Sequence, residues 1–152
     1  MTNENEKLIP FLGKIYLIEK MINLEQIKHH QTNGINCDVT TQDIINKLQD
    51  WDRRFGVTIT DVGHDQVTVS FQTLPENLQE LAIEIYDFCP DVIDQGYGCM
   101  DDMLSMMSES GQEMNEEIKL LLEGVDMDNP DFGLQILANA LKIEQKVSLW
   151  WD

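Results

Sequence analysis

Between Phe55 and Ile118 the chain has no lysine and no arginine, although 14 Asp and Glu fall in the same stretch. A surface built from such a segment repels nucleic-acid phosphates and anionic lipid, so nucleic acid and membrane are excluded as partners. Cysteine is scarce: Cys37, Cys89 and Cys99 are an odd number, widely spaced, with no Cys-x-x-Cys pair. That argues against a disulfide framework and for free thiols in a reducing compartment. The apolar segment from Leu8 to Leu24 is broken by Lys14, Glu19 and Lys20, so it cannot span a bilayer. The opening residues MTNENEKL lack the basic start of a secretory signal, and the expectation is a cytoplasmic protein. A phosphate loop, a serine nucleophile elbow, an HExxH helix and a zinc knuckle are all missing.

What is present is an ordinary globular composition with a lopsided charge. At 152 residues, 42% hydrophobic and 25% charged, the chain suits one domain with a real core. Residues 1–56 carry 8 acids against 7 bases, whereas residues 57–152 carry 20 acids against 3, which is −17 of the total −18. Such a surface favours basic protein partners or metal cations.

Leu8, Phe11, Ile15, Ile18 and Ile22 recur at three- and four-residue spacing and predict a helix over the first 33 residues. Its apolar face either packs on its own domain or forms a homodimer. Thr40 and Thr41 offer a helix N-cap with Asp43 in the first turn, and Gly56 stands where the helix should close. Alternation in Val57–Asp61 and Val67–Phe71 around Gly63-His64-Asp65 predicts a β-hairpin with one apolar and one polar face. A helix is expected from Pro75 to Cys89, burying Leu78, Leu81, Ala82, Ile85 and Cys89 and exposing Glu76, Glu80 and Glu84 as an acidic stripe. Further helical stretches follow at about 99–108, around Met114–Leu122 and around Leu134–Leu141, and the chain ends in an apolar strand, KVSLWWD. In a strand Trp150 and Trp151 point to opposite sides, so one should be buried and the other near the surface, where it is a candidate contact point.

The segment Phe88-Cys-Pro-Asp-Val-Ile-Asp-Gln-Gly-Tyr-Gly98 is the most distinctive. Pro90, Gly96 and Gly98 make it read as a stiff loop displaying Asp91, Asp94 and Gln95. Asp94 with Asp101 and Asp102 offers oxygen ligands for Mg²⁺ or Ca²⁺; the plainer reading, preferred here, is that Asp91 and Asp94 cap helices or bond nearby amides. The Asp126–Asp131 stretch resembles a calcium loop only superficially, because Pro130 stands where a ligand is needed. Cys89 should be a core residue with its pKa raised by burial and neighbouring carboxylates, and His64 a solvated turn residue. No cofactor and no catalytic set is assigned.

The pairing of FCPDVIDQGYG with a terminal LWWD resembles a bacterial domain-of-unknown-function family, the one numbered 4253, over about residues 51–152. The matching positions are Phe88, Cys89, Pro90, Asp91, Asp94, Gln95, Gly96, Trp150, Trp151 and Asp152. The resemblance implies no established activity. Set against shorter members, it implies a helical insertion at about 108–131, which holds eight acids and one lysine.

The resulting expectation is an α+β fold: a small, mainly antiparallel sheet of the hairpin and the C-terminal strand, covered by helices. Residues 1–40 are expected to form a helical extension and 41–152 a single domain. For function the expectation is a non-enzymatic module whose acidic face engages a basic protein, most concretely an immunity protein that neutralises a toxin. The candidate contacts are Glu76, Glu80, Glu84, Glu113, Glu116 and Glu117, with Asp91, Asp94, Gln95, Trp151 and Asp152. The alternatives are a divalent-metal-dependent enzyme centred on Asp91 and Asp94, and a homo-oligomer built through the N-terminal helix.

Overall fold

The structure is a computed structural model that describes residues 24–152. The apolar face of Leu8, Phe11, Ile15, Ile18 and Ile22, and the homodimer contact assigned to it, lie outside the described residues. Residues 24–30 form a helix (α1) whose Ile27 is fully buried, and the turn after it buries Thr32, whose hydroxyl donates to the Gly63 carbonyl at 2.6 Å. What is described of the expected extension therefore packs on the same core as the rest of the chain.

Helix α2, Thr41–Phe55, begins where its side chains can satisfy its own backbone. Thr40 Oγ1 accepts from the Asp43 amide at 3.1 Å while Asp43 accepts from the Thr40 amide at 2.9 Å, a reciprocal cap. The Thr40 amide and hydroxyl hold the Asp43 carboxyl below its ordinary pKa. The helix stops at Gly56, whose φ of 71° is a conformation that side chains resist.

Strands β1 (Val57–Thr60) and β2 (Gln66–Phe71) then pair as the expected hairpin, with Val57 opposite Phe71 and Ile59 opposite Val69. The final strand β3 (Lys146–Trp150) adds antiparallel to β2, giving the order β1-β2-β3. Because side chains alternate across a sheet, Val67, Val69, Phe71, Val147 and Leu149 share the buried face. The other face carries Thr68 and Ser148, whose hydroxyls lie 3.1 Å apart, and the half-buried Trp150.

Helix α3 runs Leu78–Phe88, not from Pro75 as expected. Asn77 supplies an acceptor for the amides of Gln79 and Glu80, which Pro75 cannot do, so the helix starts after Asn77. Glu76 consequently lies before the helix rather than on it. Helix α7 (Phe132–Glu144) packs along α3 and buries Ile136, Leu137, Ala140 and Leu141. A run of edge-to-face rings crosses the core: Phe55 on Phe71, Phe71 on Trp51, Trp51 on Phe88, and Phe88 on Trp151, with centroids 5.6–6.0 Å apart.

Between these lie α5 (Met100–Glu109) and α6 (Glu116–Leu121). They differ from every other part of the described chain, because no residue from 101 to 131 is buried. Leu104, Leu121, Leu122, Val125 and Met127 are only half covered, resting on a small cluster of Met100, Phe132 and Ile136. The segment is held at its far end by α7, where Asn139 Nδ2 donates to the carbonyls of Leu121 and Glu123 and Gln135 accepts from the Asp126 amide.

Candidate functional site

The segment read as a display loop turns Asp91, Val92 and Ile93 inward and leaves Asp94 and Gln95 exposed. Pro90 takes helical angles, φ −59° and ψ −30°, and opens a single helical turn, α4 (Asp91–Asp94), followed by a 3₁₀ turn at Tyr97–Cys99. Val92 and Ile93 are buried by that turn, and so is Asp91, one of only three polar or charged residues buried among those described.

The first residues of the distinctive segment reach the C-terminal Trp150, Trp151 and Asp152. Asp91 Oδ2 accepts from the Asp152 amide at 2.7 Å, and its other oxygen accepts from Gln95 Nε2 at 3.3 Å. Cys89 Sγ donates to the Trp150 carbonyl at 2.9 Å, and Trp151 Nε1 donates to the Phe88 carbonyl at 3.2 Å. The Trp151 amide donates to Asp65 in the hairpin turn at 3.0 Å, and the neighbouring His64 carbonyl accepts from Asn33. Trp151 is 3% exposed, and its ring lies on Gly34 so closely that a Cβ there would come within 2.3 Å of the indole. FCPD and WWD are thus two halves of one lock that closes the C-terminal strand over α3 and α4.

This geometry directs the chemistry of the site toward structure. The Cys89 thiol is pushed up to about 12, chiefly by burial, so it is neutral at physiological pH and no thiolate nucleophile. Burial raises Cys37 as well, with Asp91, Asp38 and Asp94 adding to it. Asp94 is exposed but accepts from the Tyr86 hydroxyl at 3.0 Å, and the Cys99 thiol donates to its carbonyl at 3.3 Å. Among the described residues no group of three His, Cys, Asp or Glu side chains is placed to hold a metal ion. A cavity of about 330 Å³ lies beside the lock, with Gly96, Tyr97, Glu144, Lys146 and Trp150 on its walls. Its hydroxyls are not activated: Tyr97 is raised, mainly by burial, and Ser148 is bonded to Thr68.

The acidic stripe proposed for α3 is divided by the fold. Glu76 and Glu80 are exposed, whereas Glu84 is half-buried in an ion-pair network. Arg54 grips it with both nitrogens at 2.7 and 3.0 Å, the Trp51 indole donates to it at 2.8 Å, and Lys47 stands 3.6 Å away. The Arg54 guanidinium, and secondarily Trp51 and Lys47, hold the Glu84 carboxyl below its ordinary value against the opposing effect of burial. Arg54 and Arg53 also pair with Asp50, and Lys28 with Glu25. Lys28, Lys47, Arg53 and Arg54, the lysines and arginines of this part among the described residues, therefore each have an acidic partner within the chain.

The C-terminal acids are not balanced in that way. All ten Asp and Glu between 101 and 131, including Glu113, Glu116 and Glu117, are exposed. Among the described residues only Glu116 of these has an ion-pair partner, Lys119 at 3.3 Å. The sequence reading missed Gly34 and Glu84's true partners, which meet residues distant in the chain, and Tyr86, whose partner Asp94 lies eight residues on, beyond the end of α3.

The chain belongs to the family described as Domain of unknown function (DUF4253), whose model matches residues 14–152. The match begins well before the lock residues and runs through the segment read as an insertion. No curated protein and no solved structure matches the chain.

Proposed function

We propose that this member of the family is a non-enzymatic binding module that engages a basic protein surface through the acidic segment 101–131. One observation carries the reading: ten exposed carboxylates face solvent there with a single lysine among them, while among the described residues Lys28, Lys47, Arg53 and Arg54 pair with acids of their own half or with Glu84. Opposed charge of this kind raises the association rate and orients the encounter, and its effect falls with ionic strength. The carboxylates an enzyme would need at the lock are engaged instead: Asp91 with the Asp152 amide and Asp94 with Tyr86. The most concrete version is an immunity protein that covers the basic cleft of a toxin such as a nuclease, a cleft that must be positive to hold phosphates.

Affinity capture from cells of the source organism tests this. The partner should be retained at low salt, released at high salt, and lost when Glu113, Glu116 and Glu117 are changed together to Gln. A set of captured proteins that changes with neither salt nor substitution removes the reading.

A further inference from the structure

The lock leaves two residues of the distinctive sequence without a role, Gly96 and the ring of Trp150. It uses the Trp150 carbonyl, whereas the ring is half-buried and lines the cavity of about 330 Å³ together with Val92, Gly96 and Tyr97. Gly96 lets the turn approach that ring, since a Cβ there would stand 3.2 Å from the indole.

The cavity also reaches the free edge of the sheet, because β3 pairs with β2 alone. The Gln145 carbonyl accepts from the Phe71 amide and the Trp151 amide donates to the Asp65 carbonyl, so odd-numbered residues bond toward β2. Backbone groups alternate along an antiparallel strand, and the even-numbered ones turn away from β2. The Trp150 carbonyl and the Asp152 amide do so, serving Cys89 and Asp91. Lys146 and Ser148 continue that edge along the cavity wall. Among the described residues, the Lys146 carbonyl and the Ser148 amide have no hydrogen-bond partner. The same cavity is lined by two exposed side chains of opposite charge, Glu144 and Lys146, neither in an ion pair among the described residues. Burial chiefly, and then Glu144 and Glu117, raise the Tyr97 hydroxyl, so Glu144 lies within electrostatic reach of the phenol.

We infer that this cavity binds a free α-amino acid with an aromatic or branched apolar side chain. Its ammonium donates to the Lys146 carbonyl and pairs with Glu144. Its carboxylate accepts from the Ser148 amide and pairs with the Lys146 ammonium. Its side chain lies against Trp150, Tyr97 and Val92. A free carbonyl and a free amide two residues apart on a strand edge bracket one residue of a neighbouring chain, and an amino acid is one such residue with charged ends. Charge selects the zwitterion: a simple anion is repelled by Glu144 and a simple cation by Lys146. The volume lies near the lower end of the range for ligand pockets, about 300–1,000 Å³, which suits a molecule of this size. The inference does not depend on the acidic-partner reading.

The test follows L-leucine, L-phenylalanine and L-tryptophan binding to the full chain by NMR. At least one should bind saturably and shift the Ser148 amide resonance. Its N-acetyl form, which lacks the ammonium, and its amide, which lacks the carboxylate, should each bind about tenfold more weakly or worse. Glu144→Gln and Lys146→Gln change exposed side chains and should each weaken binding of the free amino acid about threefold. Glu144→Gln should not weaken the N-acetyl form, nor Lys146→Gln the amide, because the charge that each recognises is already gone. Loss of free and modified forms alike would mark the two residues as structural and overturn the inference. So would the lack of saturable binding by any of the three amino acids at millimolar concentration. A doubly capped N-acetyl amide that binds as tightly as the free amino acid would assign the edge to a peptide strand and overturn it as well.

Discussion

The lock around Phe88–Gly98 and the segment 101–131 both carry carboxylates with no base among them in excess, yet the fold treats them in opposite ways. In the lock Asp91 is buried and holds a backbone amide at 2.7 Å, and Cys89 to Trp150 and Trp151 to Phe88 close two further hydrogen bonds across some sixty residues of chain. In the segment no residue is buried and the acids point to water. Burial of an apolar side chain is worth about 1.5–3 kcal/mol, so the first region is fixed by terms the second lacks. The difference teaches that unusual sequence and available surface need not coincide. The most distinctive residues maintain the fold, and the plainer, Met-rich stretch beside them is the part left open for a partner.

The comparison is most sharply broken at Trp151. Trp151→Ala removes a 3%-exposed indole from between Phe88 and Gly34 and should destabilise the protein by about 3–5 kcal/mol, read as a lowered denaturation midpoint. A midpoint that barely moves would show that the C-terminal strand is not locked. Asp91→Ala leaves the Asp152 amide without its acceptor and should cost about 1–3 kcal/mol by the same measurement.

Acid should reveal the Arg54–Glu84 pair. The folded Glu84 carboxyl sits below its ordinary 4.5, so its stabilisation is complete above that value. As pH falls below 4.5 the unfolded chain takes up the proton first, and the contribution declines until the folded carboxyl also titrates. Midpoints followed against pH should therefore drop less steeply below 4.5 in Glu84→Gln than in the unchanged protein; parallel curves would refute the assignment.

The smallest effect is expected in the open segment. Glu113→Gln, Glu116→Gln and Glu117→Gln should each shift stability by no more than about 0.5 kcal/mol, since exposed side chains free of burial contribute little. Thermal unfolding of the three variants checks this, and a large loss in any of them would mean that the segment is structural after all.

Legibility followed the range of the interaction. Thr40 with Asp43, Gly56, and the alternation around Gly63–Asp65 act within a few residues, and all could be read in advance. The start of α3 was misplaced because Pro75 is a familiar opening residue, whereas the group that satisfied the free amides was the Asn77 side chain. Glu84 looked exposed because its spacing from Glu76 and Glu80 is helical, but Arg54, thirty residues earlier, pulls it into an ion pair. Asp91 was read as bonding a nearby amide, but the amide it holds is that of Asp152, 61 residues away, and Gly34 carried no signal because the Trp151 ring that defines it is more distant still.

By itself the sequence determined the class of the fold, its hairpin and final strand, and the concentration of negative charge after residue 56, because periodicity, local caps and charge counts need no long-range information. Only the tertiary structure decided which carboxylates face inward and which remain for a partner. That choice depends on which distant amide or guanidinium the packed chain brings within hydrogen-bond reach: the Asp152 amide for Asp91, Arg54 for Glu84, and for nearly all of the acids between 101 and 131 no base among the described residues.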